Sequence, residues 1–368
     1  TGANNVAIGD DALGANTDAH NNTAIGYHAL TANTGSENTS LGASALGTNS
    51  TGSHNTAIGV NALLVNTTGS RNTAVGEFAL DGNTTVSDCT AVGYSALTGA
   101  NTGTNNTCVG ANSLQVNTSG HSNTGLGRYA LYTNSTASYN TAVGNNAMYA
   151  NTTGGQNTAV GGGSLQSNTV AANNTAVGYD ALYANTTGGD NVSVGAYALD
   201  ACTTGSNNTA VGKSALSAAT TASRNTALGT SALLVNTASD CTAVGYNALV
   251  DNTTGIKNVA VGSYALYDAT TGNYSVAVGH AALNSITTAG ESTAVGYEAL
   301  KNDTGGYNTA VGYAALLDNT TGQSNIAFGH NAIQNNTTGM QNAGFGGSTL
   351  NACTTGNYNN AFGYAALS

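Results

Sequence analysis

Histidine and cysteine are the side chains that most often ligate metals, relay protons or attack as nucleophiles, so their spacing is read first. The six histidines, His20, His28, His54, His121, His280 and His330, are scattered, and none is spaced along the chain to share a ligand with another histidine or a carboxylate. They read as isolated surface imidazoles. The five cysteines, Cys89, Cys108, Cys202, Cys241 and Cys353, are odd in number and contain no C-x-x-C spacing. That pattern favours neither a disulfide framework nor a zinc site. No Ser-His-Asp arrangement or carboxylate pair stands out. The glycine clusters at Gly161–Gly163 and Gly344–Gly347 open no helix, so they match a phosphate loop in composition only. No catalytic residue, cofactor or resident metal is therefore expected.

What positions these residues is a repeat. Take as position zero the apolar residue before each glycine of the phrase N-x-A-V-G. It falls at Ile8, Ile25, Leu41 and Ile58 and continues to Phe328, Phe345 and Phe362, giving 22 copies spaced by 17 residues with three spacings of 16. The shortened copies lose a residue from the Asn-Thr-Thr-Gly stretch, which marks that stretch as a turn. No linker interrupts the series, so residues 1–368 read as one repetitive domain.

A 17-residue unit is too short for a helix pair. It suits one coil of a parallel β-solenoid of about 22 coils, with short strands expected at T-A-V-G and A-L-x-x. The glycine at +1 is invariant in all 22 copies. Such a corner needs positive φ or leaves no room for a Cβ.

Comparing the copies predicts what lies inside. Position zero is always Ile, Leu, Val or Phe and position +5 is nearly always Leu, so both are expected to be core columns. Positions −1 and +4 hold small residues and are expected to be buried, close-packing columns that would also suit close approach of protomers. Asn occupies −3 in 18 of 22 copies and +8 in 14 of 21, and the replacements there include Cys, Ser, Ala and Ile, small or apolar residues rather than Lys or Glu. Inward-facing Asn ladders are expected, each amide bonding to the one in the next coil and to turn backbone. Four of the five cysteines occupy these ladder positions and Cys108 a small-residue column, so all five are expected to be buried, unpaired thiols. Thr at +9 is expected to form a turn ladder.

The surface is poor in charge: 6% of residues are charged, and the formal net charge is −11 with six Lys+Arg. Nucleic acid binding needs clustered cations, so no nucleic acid partner is expected. No apolar run reaches the roughly 18 residues of a membrane span, so no membrane insertion is expected. All eighteen tyrosines fall at +2, +3, +6, +12 or +13. Tyr179, Tyr183 and Tyr197, with Tyr246, Tyr264 and Tyr267, form aromatic steps on adjacent coils and are the candidate contacts for a glycan or another partner.

The phrases Asn5-Val6-Ala7-Ile8-Gly9 and Asn258-Val259-Ala260-Val261-Gly262 resemble the head repeats of trimeric autotransporter adhesins. The longer phrasing NTAVGYxALxxNTTG resembles repeat regions of phage tail fibres. The resemblance covers all 22 repeats. It implies a left-handed β-roll, a homotrimer and a place in an extracellular fibre on a cell or virion surface, with adhesion or mechanical support as its role. The repeat is longer than the adhesin head repeat, and Thr usually replaces Val at −2. End-to-end stacking into a filament is the other expected mode of self-association. Ice binding by a threonine ladder is the alternative function.

Overall fold

The phrase Thr-Ala-Val combines two β-branched residues around a small one, and it or its equivalent forms the strand of each coil. The computed structural model describes residues 2–368 and contains twenty-two three-residue strands among them and no helix. The chain is an all-β parallel solenoid. It divides into two units, Thr1–Thr187 and Gly188–Ser368. The first runs from β1 (Val6–Ile8) to β11 (Thr175–Val177), and the second from β12 (Val192–Val194) to β22 (Asn360–Phe362). Within each unit every strand pairs in parallel with the next, one coil on. Thr158 thus faces Thr175, and Val311 faces Phe328.

Only one strand forms per coil. The A-L-x-x segment, expected as a second strand, is instead a turn in which residues +3 and +5 adopt the left-handed conformation, as at His28 (φ 52) and Leu30 (φ 53). It still stacks through backbone hydrogen bonds, such as Leu30 N to Ala45 O at 3.1 Å. The +1 glycine satisfies both sequence arguments. Gly76 has φ 133, and a Cβ there would stand 2.5 Å from the Gly93 carbonyl oxygen.

The core corrects one expectation. Leu at +5 is buried, as predicted, but position zero is not: Leu41, Val109, Leu228 and Phe328 are 40–45% exposed, and no residue of that column is buried. The inward residue of the strand is the Ala at −1, which is fully buried in nearly every coil. The reason is thickness. A Cβ on Gly125, a −1 residue, would lie 2.6 Å from Leu114 Cδ1, so leucine already fills the interior opposite the strand. Strand alternation then forces −2 and zero outward. The small columns at −1 and +4 therefore pack inside their own coil and are not surfaces for another protomer.

The asparagine ladders are inward. In the +8 column Asn66 Nδ2 donates to Asn49 Oδ1 at 2.7 Å and to the Gly69 carbonyl at 2.9 Å. The −3 column works differently. The backbone N–H of Asn55 donates to Asn38 Oδ1 at 2.9 Å, while its own amide donates to the turn carbonyl of Gly69 at 2.9 Å. Buried amide oxygens without a partner mark breaks in the +8 column. Asn83, Asn252 and Asn336 have such an oxygen where the next coil supplies Ala100, Ala269 or Cys353. The +9 threonines cap the turn, as in Thr118 Oγ1 to Ser135 O at 2.9 Å.

Candidate interaction surface

The outward strand face carries two columns side by side. Position zero supplies aliphatic groups, and −2 supplies threonine. In the first unit −2 is Thr on ten consecutive strands, Thr23 to Thr175, and none of these hydroxyls is hydrogen-bonded among the described residues. Sequence reasoning missed this face because it placed position zero inside. In the second unit the aliphatic column ends in three phenylalanines. Phe328, Phe345 and Phe362 stack with ring centroids 5.4 and 4.9 Å apart and planes within 6° and 3°.

All six candidate tyrosines lie on outward columns: Tyr179 at 56%, Tyr183 at 38%, Tyr197 at 40% and Tyr246 at 49% are exposed, and Tyr264 and Tyr267 are half-buried. In the second unit, coil stacking brings Tyr246 and Tyr264 edge to face at 5.4 Å, with Tyr267 a further 5.5 Å from Tyr264. In the first, Tyr132 and Tyr149 stack at 5.1 Å beneath the edge of Tyr129. A longer stack, His280–Tyr297–Tyr313–His330, repeats at 5.1–5.3 Å with planes within 11°. Rings stacked along the coils cover one another's faces and present their edges outward. The open faces that a sugar ring needs are therefore confined to the ends and to the edge-to-face pairs.

The histidines are not all isolated. His54 Nδ1 lies 2.9 Å from Glu37 Oε2, and His28 Nδ1 lies 3.4 Å from Asp11 Oδ2. Residues 17 apart are neighbours in this fold, so shared repeat position, rather than nearness along the chain, was the signal. The same stacking makes two bidentate ion pairs, Arg71–Asp88 and Arg224–Asp240, with first contacts of 2.6 Å. The arginine hydrogen bonds lower the pKa of both aspartates. These are exposed pairs on the αL column at −4, each joining one coil to the next.

The cysteines are unpaired. Cys89, Cys108, Cys202 and Cys241 are buried and Cys353 is partly so. Burial raises the thiol pKa in each of the first four, for Cys202 to about 11. Among the described residues no three His, Cys, Asp or Glu side chains group as metal ligands, and no helix is long and apolar enough to cross a membrane. A shallow depression lined by His28, Thr31, Ser44, Thr48 and Leu64 lies where Gly47 puts no side chain in the +6 column. No protein-family model matches the chain, and no curated protein matches it.

Proposed function

We propose that the chain is a structural segment of an extracellular fibre, associated side by side as a homotrimer through its outward strand face, with the tyrosine columns left to meet a glycan or receptor. The observation that carries this reading is the aliphatic column at position zero, which is outward on every coil of both units. A continuous apolar stripe rimmed by polar residues is what association surfaces look like. It repeats once per coil, so full coverage requires a partner with the same coil spacing. A second copy of this chain, parallel and in register, has that spacing. The free threonine hydroxyls beside the stripe supply a polar rim that can hydrogen-bond across such a contact. Three copies is the number implied by the resemblance to trimeric adhesin heads.

Light scattering tests the proposal. A mass near three times 36.1 kDa is expected. Val75→Asp, Val92→Asp and Val109→Asp together should give single chains with an unchanged β signal, because these side chains face outward. A wild-type mass of one chain would refute the assembly. A second reading, ice binding, is favoured by the ten consecutive strand threonines with free hydroxyls. The +9 threonines do not serve it, since their hydroxyls are engaged in the turns. Thermal hysteresis in a single-chain preparation, lost on Thr73→Tyr and Thr107→Tyr, would favour this reading.

A further inference from the structure

The three shortened coils are built alike. Each carries its +8 ladder residue in a three-residue turn: Asn33-Thr34-Gly35, Asn236-Thr237-Ala238 and Asp303-Thr304-Gly305. Around Asn33, Oδ1 accepts from Gly35 N at 3.1 Å, Asn38 Nδ2 at 3.4 Å and Asn49 Nδ2 at 2.7 Å. Its own Nδ2 donates to the Gly35 carbonyl at 2.6 Å. Asn236 repeats the pattern, with Nδ2 to the Ala238 carbonyl at 2.7 Å. Asp303 reproduces the accepting half contact for contact. Its Oδ1 receives Gly305 N at 3.0 Å, Asn308 Nδ2 at 3.1 Å and Asn319 Nδ2 at 2.7 Å. Its Oδ2 is buried and has no partner.

With Oδ1 matched three times over, Oδ2 occupies the place from which an asparagine amide donates to the turn carbonyl. An ionised Oδ2 would set a full negative charge against an acceptor, in a side chain with no exposed surface. A protonated one donates O–H as the amide does. We infer that Asp303 stands in the ladder as the neutral acid, its Oδ2–H donating to the Gly305 carbonyl, and that ionising it opens this coil as pH rises.

Nothing charged compensates it. The ionisable groups of the surrounding coils, His280, Glu291, Tyr297, Glu298, Lys301, Tyr307, Tyr313 and Asp318, all lie on outward columns, and Glu298 and Lys301 pair with each other at 2.6 Å. On the preceding coil the ladder position is Ile286, which is apolar and buried. Burial accordingly raises the Asp303 pKa above the ordinary aspartate value of 3.8, against the lowering effect of its hydrogen bonds. The folded coil thus binds the proton more tightly than the unfolded chain does. The stabilisation is complete below the ordinary value and is lost as pH rises through the folded-state value.

The test compares wild type with Asp303→Asn, which installs the usual ladder residue, and with the reciprocal Asn33→Asp. Hydrogen exchange of the Gly305 and Asn319 amides reports opening of the coil, and the infrared carboxyl band lost in Asp303→Asn reports its protonation state. In wild type the opening constant, relative to Asp303→Asn, should grow several-fold as pH is raised from the acid range to the mildly alkaline, because the folded coil holds the proton more tightly than the unfolded chain. Asn33→Asp should acquire the same dependence at its own coil. A parallel pH response in wild type and Asp303→Asn, an ionised band at neutral pH in the folded protein, or a weaker ladder in Asp303→Asn would each overturn the inference.

Discussion

Nearly every coil places a leucine in a conformation that leucine avoids, and this can be measured. Leu63 has φ 53 and no exposed surface. A left-handed backbone costs a non-glycine residue about 1–2 kcal/mol, while burying leucine gains about 1.5–3 kcal/mol, so burial wins by a modest margin. Truncating Leu63 to Ala should cost about 2–5 kcal/mol, since the cavity adds to the lost transfer energy. The informative step is the next one, from Ala to Gly. At an ordinary buried site it costs about 0.8 kcal/mol for the methyl group and about 0.7 kcal/mol for chain entropy, so about 1.5 kcal/mol in all. At position 63 relief of the left-handed strain cancels that sum. Leu63→Ala and Leu63→Gly should therefore be equally stable within about 0.5 kcal/mol, a balance of the same terms. The neighbouring Ala62, buried but at negative φ, supplies the control, and Ala62→Gly should cost the full amount. Because a repeat array opens locally, the assay is native-state hydrogen exchange in that coil, beginning with the Leu63 amide that donates to Ala79 O. If the alanine-to-glycine step costs as much at 63 as at 62, the strain argument is wrong.

Three further outcomes follow from the same geometry. Gly76→Ala should abolish folding of its coil, because φ 133 excludes alanine and the added methyl would meet the Gly93 carbonyl at 2.5 Å; circular dichroism and protease resistance read this directly. Ala269→Asn should add about 1 kcal/mol, the worth of a typical buried hydrogen bond, by giving the orphaned Asn252 Oδ1 a donor, and hydrogen exchange at Asn252 would show it. Cys202, with burial pushing its pKa up to about 11, should resist alkylation at pH 8 until the chain is unfolded, as mass spectrometry of the labelled peptide would reveal.

The period, the corner glycine and the ladder columns were legible because 22 copies act as an internal comparison: what replaces Asn across coils reveals its surroundings. The facing of the strand was not. Hydrophobicity argues that Val177 points in beside a close-packed Ala176, whereas strand alternation lets only one of the two face inward, and Ala176 is the buried one. Which of two alternating residues faces inward depends on the thickness of the space between layers, and that is set by the large residue opposite, as Leu114 is to Gly125. The second strand was misjudged for a related reason. Leucine after alanine reads as extended, and no propensity announces a buried leucine at positive φ. The His54–Glu37 contact was available from the repeat, since both occupy −4, but spacing along the chain concealed it. The free strand threonines were visible as letters, and only their orientation was missing.

The three stacked phenylalanines have a consequence for how copies would align. A column of near-identical Val and Ile rungs carries almost no positional information. Sliding one chain along another by one coil exchanges each contact for its equivalent and sacrifices a single rung. Such an interface would be sticky but unindexed. Phe328, Phe345 and Phe362 would lift that degeneracy, because all three rings fit opposite rings at one setting only, and every slip leaves at least one ring against a smaller rung or none. The shortened coils, with their altered turns, add marks of the same kind. In a repetitive fibre the irregular coils would then act like the notches on a ruler, fixing alignment that the regular ones leave undetermined.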